Sequence, residues 1–207
     1  MWVKICGIST MKAAVAACEA GADAVGFVFA HSRRQVNPDR AQSLIMGLPP
    51  EIAKVGVFVN ETPEAINRIA RYVGLTHVQL HGDEPPEAIA QIEFPVIKAF
   101  RIRNEKDLAQ LANYSQAAAI LLDPYVEGQP GGTGQTLDLA LFKAAAAMPN
   151  RPKLILAGGL NPGNVVAAIK EAHPDGVDVS SGVETDGQKD LQKIYDFTDL
   201  AKEALAL

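Results

Sequence analysis

The chain has 207 residues, enough for one domain (1–207) with a sizeable core. It is 48% hydrophobic and 21% charged, as globular proteins are, and a net charge of -5 gives no reason to expect a nucleic-acid or anionic-membrane partner. No apolar run approaches the ~18–20 residues of a membrane span, the N-terminus lacks a signal peptide's basic and long apolar regions, and two cysteines make no disulfide framework, so a reduced, cytoplasmic protein is expected.

Short apolar, β-branched runs begin near Trp2, Ala24, Lys54, Thr76, Pro95, Ala118, Lys153 and Gly176. Their spacing is about 25 residues, which is the length of a strand–helix unit and predicts a parallel sheet. Helical patterns lie between them. Ser9 and Thr10 are candidate caps for the first helix, and Gly21 follows its end. Thr62-Pro63 and Asn161-Pro162 each read as an N-cap followed by proline at the first helical position. Gly74 is placed to end a helix over Pro63–Val73. Six units would suit an open, doubly wound sheet; eight predict an α/β protein made of a single (β/α)₈ TIM barrel near its minimum length. Two gaps are long. One follows Phe29 and contains His31-Ser32-Arg33-Arg34; the other, Pro124–Gln135, carries Gly128, Gly131, Gly132 and Gly134 and reads as a lid.

Ligands of a parallel barrel bind at the carboxyl ends of its strands. Four predicted strands end there in chemically useful residues: Lys4-Ile5-Cys6-Gly7, Asp123, Gly158-Gly159 and Ser180-Ser181-Gly182. Side chains alternate along a strand, so Lys4 and Cys6 share the face opposite Val3 and Ile5 and are expected inside the barrel. The same alternation sends Gln79, His81, Leu121, Asp123, Asp178 and Ser180 inward. Strand eight adjoins strand one in a closed barrel, so Lys4 and Asp178 are expected to pair, either as a structural ion pair or in contact with substrate.

A rim thiol at Cys6 can act as nucleophile or base, and a nearby cation such as Lys4 would raise its thiolate fraction. Cys18, in a helix of alanines, reads as a small hydrophobe. Asp123 leaves an apolar strand, where desolvation suits a general acid; the alternative is a loop cap. Gly158-Gly159 and Ser181-Gly182 lie where barrels commonly hold phosphate, at the ends of strands seven and eight. Lys98, in Pro-Val-Ile-Lys-Ala-Phe, is either an aldolase-type Schiff-base lysine or an inward ion-pair partner. No metal site is expected: His77 and His81 lie ~13 Å apart at ~3.3 Å per residue, and no HxxxH or CxxC pattern occurs.

These motifs, together with Gly26-Phe27-Val28-Phe29, Ser32-Arg33-Arg34, Gly56-Val57-Phe58-Val59-Asn60, Val78-Gln79-Leu80-His81-Gly82, Leu121-Leu122-Asp123, Gly131-Gly132-Thr133-Gly134, Gly158-Gly159-Leu160-Asn161-Pro162 and Asp178-Val179-Ser180-Ser181-Gly182-Val183-Glu184, span nearly the whole chain in order. The chain thereby resembles the N-(5'-phosphoribosyl)anthranilate isomerase family of tryptophan biosynthesis. That resemblance implies an Amadori rearrangement of an anthranilate-bearing aminoaldose phosphate, with no cofactor. It places the general base on Cys6 and the general acid on Asp123. It places the contact to the anthranilate carboxylate on Arg34 and the phosphate contacts on Gly158, Gly159, Ser181 and Gly182. Lys4, His81, Gly132 and Asp178 complete the expected substrate-contacting set. The expected partner is the small-molecule phosphosugar substrate, and the expected assembly a monomer or homodimer. The family often has Phe-Asp-Trp where this chain has Leu137-Asp138-Leu139. The competing functions are another phosphosugar barrel, an aldolase or epimerase, and a non-catalytic phosphometabolite-binding protein.

Overall fold

The structure, a computed structural model, describes residues 1–124 and 137–204. The eight apolar runs are eight parallel strands: β1 Trp2–Cys6, β2 Ala24–Val28, β3 Ala53–Phe58, β4 His77–Leu80, β5 Val96–Ile102, β6 Ala119–Pro124, β7 Lys153–Leu156 and β8 Gly176–Val179. They pair in chain order, and β8 returns to β1 to close the barrel. Each strand starts within one residue of the expected position.

Alternation divides the core in two. Ala24, Val55, Ile97, Ala99, Ala119, Leu121, Ile155 and Ala157 fill the barrel interior, with Trp2 packed against them. Val3, Ile5, Val25, Phe27, Val78, Leu80, Phe100, Ile120, Leu122 and Val177 face outward into the helix layer. That layer is built from α1 Met11–Glu19, α2 Pro38–Ile45, α3 Pro63–Val73, α4 Pro86–Ile89, α5 Leu139–Ala146, α6 Val165–Ala172 and α7 Leu191–Glu203. α3 runs as expected between Thr62, whose hydroxyl accepts from Ala65 N, and Gly74, which leaves the helix at φ 80°. Thr10, not Ser9, caps α1, by accepting from Ala13 N. In the Leu137-Asp138-Leu139 segment, Leu137 is buried and Asp138 caps α5.

Two crossovers depart from an ordinary α-helix, and the expected start of α6 is corrected. The crossover from β4 to β5 contains only the four-residue α4, introduced by Pro85-Pro86. The segment before β6 is a 3₁₀ helix, Glu105–Tyr114. Its buried residues, Leu108, Leu111 and Tyr114, recur every three positions, which matches the three residues per turn of that helix. α6 begins at Val165 rather than Pro162, because Asn161 and Asn164 are engaged in the preceding turn: Asn161 Oδ1 accepts from Gly163 N and Asn164 Oδ1 from Asn161 N, each at 2.8 Å.

Lys98 is an ion-pair partner, but not an inward one. Ile97 and Ala99 face the barrel interior and Phe100 the helix layer, so Lys98 points outward. Its ammonium donates to Glu84 Oε2 at 2.9 Å and to Gly82 O at 2.7 Å, and lies 5.2 Å from the Phe100 ring centroid. Burial opposes ionisation of Glu84, yet Lys98 and the backbone donors outweigh it and hold the carboxyl below the ordinary glutamate range. A lysine so engaged is not poised as a Schiff-base nucleophile. Lys98→Met strands a buried carboxylate and should lower unfolding stability in urea at pH 7 by about 3–5 kcal/mol, whereas pairing it with Glu84→Gln should recover much of the loss. A single variant within 1 kcal/mol of the parent would show that this pair does not hold the β4–β5 seam.

Candidate active site

The β1–β8 seam sets the floor of the site. Register places Lys4 beside Asp178 across the closing ladder. Lys4 Nζ donates to Asp178 Oδ1 at 2.8 Å, with the lysine fully buried. Burial pulls the ammonium's pKa down, but Asp178 and Cys6 together raise it above the ordinary lysine value. Cys6 lies two residues further along β1, on the same face. Room for both comes from Gly26 on β2: a Cβ there would sit 2.8 Å from Cys6 Sγ and 3.2 Å from Lys4 Cε.

Lys4 favours the Cys6 thiolate, as expected of a nearby cation, but burial outweighs it. Burial pushes the Cys6 thiol up, and the opposing pull of Lys4 and Lys189 does not cancel it. A thiolate formed there is a stronger base than an exposed one. Cys18 is a half-buried free thiol in α1.

Above this floor a cavity of about 840 Å³ opens at the carboxyl ends of the strands. It is lined by Cys6, Arg34, His81, Asp123, Asp178 and both glycine-bearing turns. Its volume lies in the range of small-molecule sites. Every expected contact residue among the described residues is thus at this rim except Lys4, which is reached only through Asp178 and Cys6. Of the expected lid, Pro124–Gln135, Pro124 belongs to β6, and the rest, Gly132 included, lies outside the described residues.

Asp123 lies next to the end of β6 on the inward face, and His81 Nε2 lies 3.7 Å from Asp123 Oδ2. The other ring nitrogen of His81 is hydrogen-bonded to Gln79 Nε2 at 3.0 Å. Among the described residues, Gln79 Oε1 and His81 Nε2 are buried polar atoms with no hydrogen-bond partner. Both residues line the cavity. Polar atoms left unmatched in a cavity wall are ready to bond a ligand's hydroxyls. The inward placement of Gln79 was legible from alternation; its unsatisfied oxygen was not.

Gly158 and Gly159 follow β7 with φ of 86° and 61°, a consecutive left-handed pair that only glycine adopts readily. A Cβ at Gly158 would sit 1.9 Å from Pro124 Cδ, so the turn lies directly against the residue after the acid. Their N–H groups have no acceptor among the described residues. Gly159 O, by contrast, accepts from the side-chain amides of Asn161 and Asn164. The delayed start of α6 therefore serves the turn: the asparagines hold its carbonyl. On β8 the chain turns through the 3₁₀ helix Ser181–Val183. A Cβ at Gly182 would lie 1.8 Å from Leu160 O, so glycine is what lets the two turns meet backbone to backbone. Paired N–H groups at such turns form an anion-binding concavity.

Two residues with charge were not assigned a role from sequence. Glu184 follows the β8 turn, and Lys189 lies in the hairpin of β9 Glu184–Thr185 and β10 Gln188–Lys189. Lys189 Nζ donates to Ser180 O at 2.8 Å and to Glu184 Oε1 at 2.9 Å. No helix among the described residues is long and apolar enough to cross a membrane.

Comparison with known proteins shows the family of the chain. Residues 3–200 match the family described as N-(5'phosphoribosyl)anthranilate (PRA) isomerase. The N-(5'-phosphoribosyl)anthranilate isomerase of Symbiobacterium thermophilum is 60% identical, over 98% of each chain. The crystal structure of phosphoribosyl anthranilate isomerase from Thermotoga maritima is 44% identical with a TM-score of 0.89, covering 98% of each chain. A phosphoribosyl anthranilate isomerase crystallised in complex with reduced 1-(o-carboxyphenylamino)-1-deoxyribulose 5-phosphate is 43% identical, again over 98% of each chain, with a TM-score of 0.86. Sequence and fold agree from β1 to α7, and the chain belongs to the N-(5'-phosphoribosyl)anthranilate isomerase family.

Proposed function

We propose that the rim cavity converts N-(5-phosphoribosyl)anthranilate to 1-(2-carboxyphenylamino)-1-deoxyribulose 5-phosphate, with Cys6 as general base and Asp123 as general acid. The observation that carries this assignment of roles is that one cavity is lined by Cys6, Asp123, Arg34 and both glycine turns. The substrate bears two anionic groups, a phosphate and an aryl carboxylate, with a ribose between them. The turns at Gly158-Gly159 and Ser181-Gly182 suit the phosphate, and Arg34 suits the carboxylate. Asp178, Gln79 and His81 border the space between and suit the ribose hydroxyls.

The chemistry follows from these positions. Asp123 delivers a proton to the ring oxygen as the bond from that oxygen to C1' breaks, and the nitrogen lone pair forms a C1' iminium. The Cys6 thiolate then removes the proton on C2'. The electron pair of that C–H bond becomes the C1'–C2' double bond, and the iminium electrons return to nitrogen. The resulting enolamine tautomerises as C1' gains a proton and the C2' hydroxyl loses one. C1' is reduced and C2' oxidised within one molecule, so the reaction is an intramolecular oxidoreduction that draws on no external electron carrier. A thiol shifted upward is a strong base toward a C–H bond once ionised, and the ammonium groups of Lys4 and Lys189 oppose that shift.

In this reading residues 1–207 are one barrel domain working as a monomer or homodimer. It works in the cytoplasm, where Cys6 stays reduced; both cysteines are free thiols.

Three measurements test the assignment. Loss of anthranilate-conjugate fluorescence in single turnovers should slow by roughly 10²–10⁴ in Cys6→Ser and in Asp123→Asn, with substrate affinity little changed; a rate within a few-fold of the parent would remove that residue from the chemistry. Alkylation of Cys6 by iodoacetamide, followed by peptide mapping to separate it from Cys18, should rise with pH to a midpoint above the ~8.5 of a free thiol. Full reactivity at neutral pH would contradict the upward shift. Inorganic phosphate should inhibit competitively against substrate, and in a phosphate-soaked crystal the anion should sit between the turns at Gly158-Gly159 and Ser181-Gly182. Non-competitive inhibition would place the anion elsewhere.

A further inference from the structure

Glu184 ends the run Ser180-Ser181-Gly182-Val183-Glu184, and its side chain is only 5% exposed. It does not line the cavity; it stands behind Arg34, which does. A glutamate in that position needs counter-charges, and it has three. Oε1 accepts from Arg34 Nε at 2.6 Å and from Lys189 Nζ at 2.9 Å, while Oε2 accepts from Arg34 Nη2 at 3.0 Å and from Arg33 Nη2 at 2.7 Å. Burial opposes ionisation, but Arg34 and Lys189 outweigh it and hold the carboxyl below the ordinary glutamate range.

The geometry of the Arg34 contact has a directional consequence. A planar guanidinium offers a side edge, Nε with one terminal nitrogen, and an end edge made by the two terminal nitrogens. Glu184 occupies the side edge with both oxygens. Nη1, on the end edge, has no partner among the described residues. The stem is also fixed, because Arg34 Cδ and Cγ pack over Gly7, where a Cβ would lie 2.5 Å from Cδ. Arg34 is therefore clamped at the stem by the residue after Cys6 and along one edge by Glu184. Three cations around one carboxylate leave a surplus of positive charge at this side of the cavity.

We infer that Glu184 is a positioning residue for substrate selection: by occupying the side edge of Arg34 it presents the end edge to the ortho-carboxylate of an N-aryl aminodeoxy sugar phosphate. The inference rests on the reading of Arg34 as the carboxylate contact. It predicts that preference for an ortho-carboxylated aryl group depends on a residue that touches no substrate atom.

The test compares two non-reacting ligands by fluorescence titration: N-(2-carboxyphenyl)-1-amino-1-deoxyribitol 5-phosphate and the same compound with an unsubstituted phenyl ring. Ribose 5-phosphate, measured by competition, controls for the phosphate end. The parent should favour the carboxylated ligand strongly, and Arg34→Ala should abolish that preference. Glu184→Gln keeps the shape but loses the charge and one acceptor, and should cut the preference about tenfold or more while ribose 5-phosphate binds as before. Glu184→Asp, which keeps the charge on a stem one methylene shorter and so reaches the guanidinium less well, should cut it less. Adding Glu184→Gln to Arg34→Ala should cause no further loss, because the two act on one contact. If Arg34→Ala abolishes the preference and both Glu184 variants keep it, the inference fails while the reading of Arg34 stands. If Arg34→Ala itself keeps the preference, the reading of Arg34 fails first. Equal weakening of all three ligands in Glu184→Gln would make Glu184 merely structural and would also overturn the inference.

Discussion

A lysine ammonium inside a barrel must have a counter-charge, and among the described residues Asp178 is the carboxylate paired with Lys4. The pair is separated by 174 residues and made only when β8 closes on β1. Removing one partner from such a pair strands a buried charge, at a cost of about 3–5 kcal/mol, so the seam and the site stand or fall together. Cys6 sits on this pair, two residues along the same strand face. Gly26 gives up its side chain so that the lysine stem and the sulfur fit inside the barrel. The fold and the proposed base thus share one constraint, which is why the barrel interior changes from apolar to polar toward the carboxyl ends of the strands.

The neighbouring part of the rim, after β7 and β8, solves a different problem. An anion needs donors, and a backbone turn can provide them only if something else holds its shape. Here the carbonyl of Gly159 is held by two asparagine amides, the backbone of Gly158 is pressed against Pro124, and Gly182 is packed on Leu160 O. Gly158 and Gly159 line the cavity, and their N–H groups have no acceptor among the described residues. The turn is braced from behind, so binding an anion need not order it. That same bracing touches the residue after Asp123, so the anion site and the proposed acid are placed relative to each other by backbone contact rather than by long side chains.

Charge at the third side of the rim is built in layers. Arg34 faces the cavity, Glu184 stands behind it, and Lys189 and Arg33 neutralise Glu184 in turn. Lys189 also lies close enough to oppose the upward shift of the Cys6 thiol. One carboxylate therefore ties the anion-seeking arginine to the environment of the thiol, across the long loop after β2 and the hairpin after β8.

The barrel was written in the sequence, because eight apolar runs at an even spacing have one economical closed arrangement and because alternation assigns each strand residue to an inner or an outer face. That logic placed Lys4, Cys6, Gln79, His81, Asp123 and Asp178 at the interior and paired Lys4 with Asp178. It also bounded α3, where Thr62, Pro63 and Gly74 are local signals that act on neighbouring backbone atoms. What it did not yield were properties set by residues distant in the chain. The direction of the Cys6 shift depends on how far burial outweighs two ammonium groups, one of them from a hairpin 183 residues away. Lys98 lies in a strand motif whose pattern allowed an inward reading, but its outward face and its Glu84 partner were decided by packing under the 3₁₀ helix. Glu184 carries no local signal at all, since a glutamate after a turn is ordinary in sequence. Its role as a carboxylate enclosed by three cations exists only once the β2 loop and the β9–β10 hairpin meet. Local backbone chemistry determined the elements and their faces; the electrostatics of the site, which sum over charges brought together by folding, were decided by the tertiary structure alone.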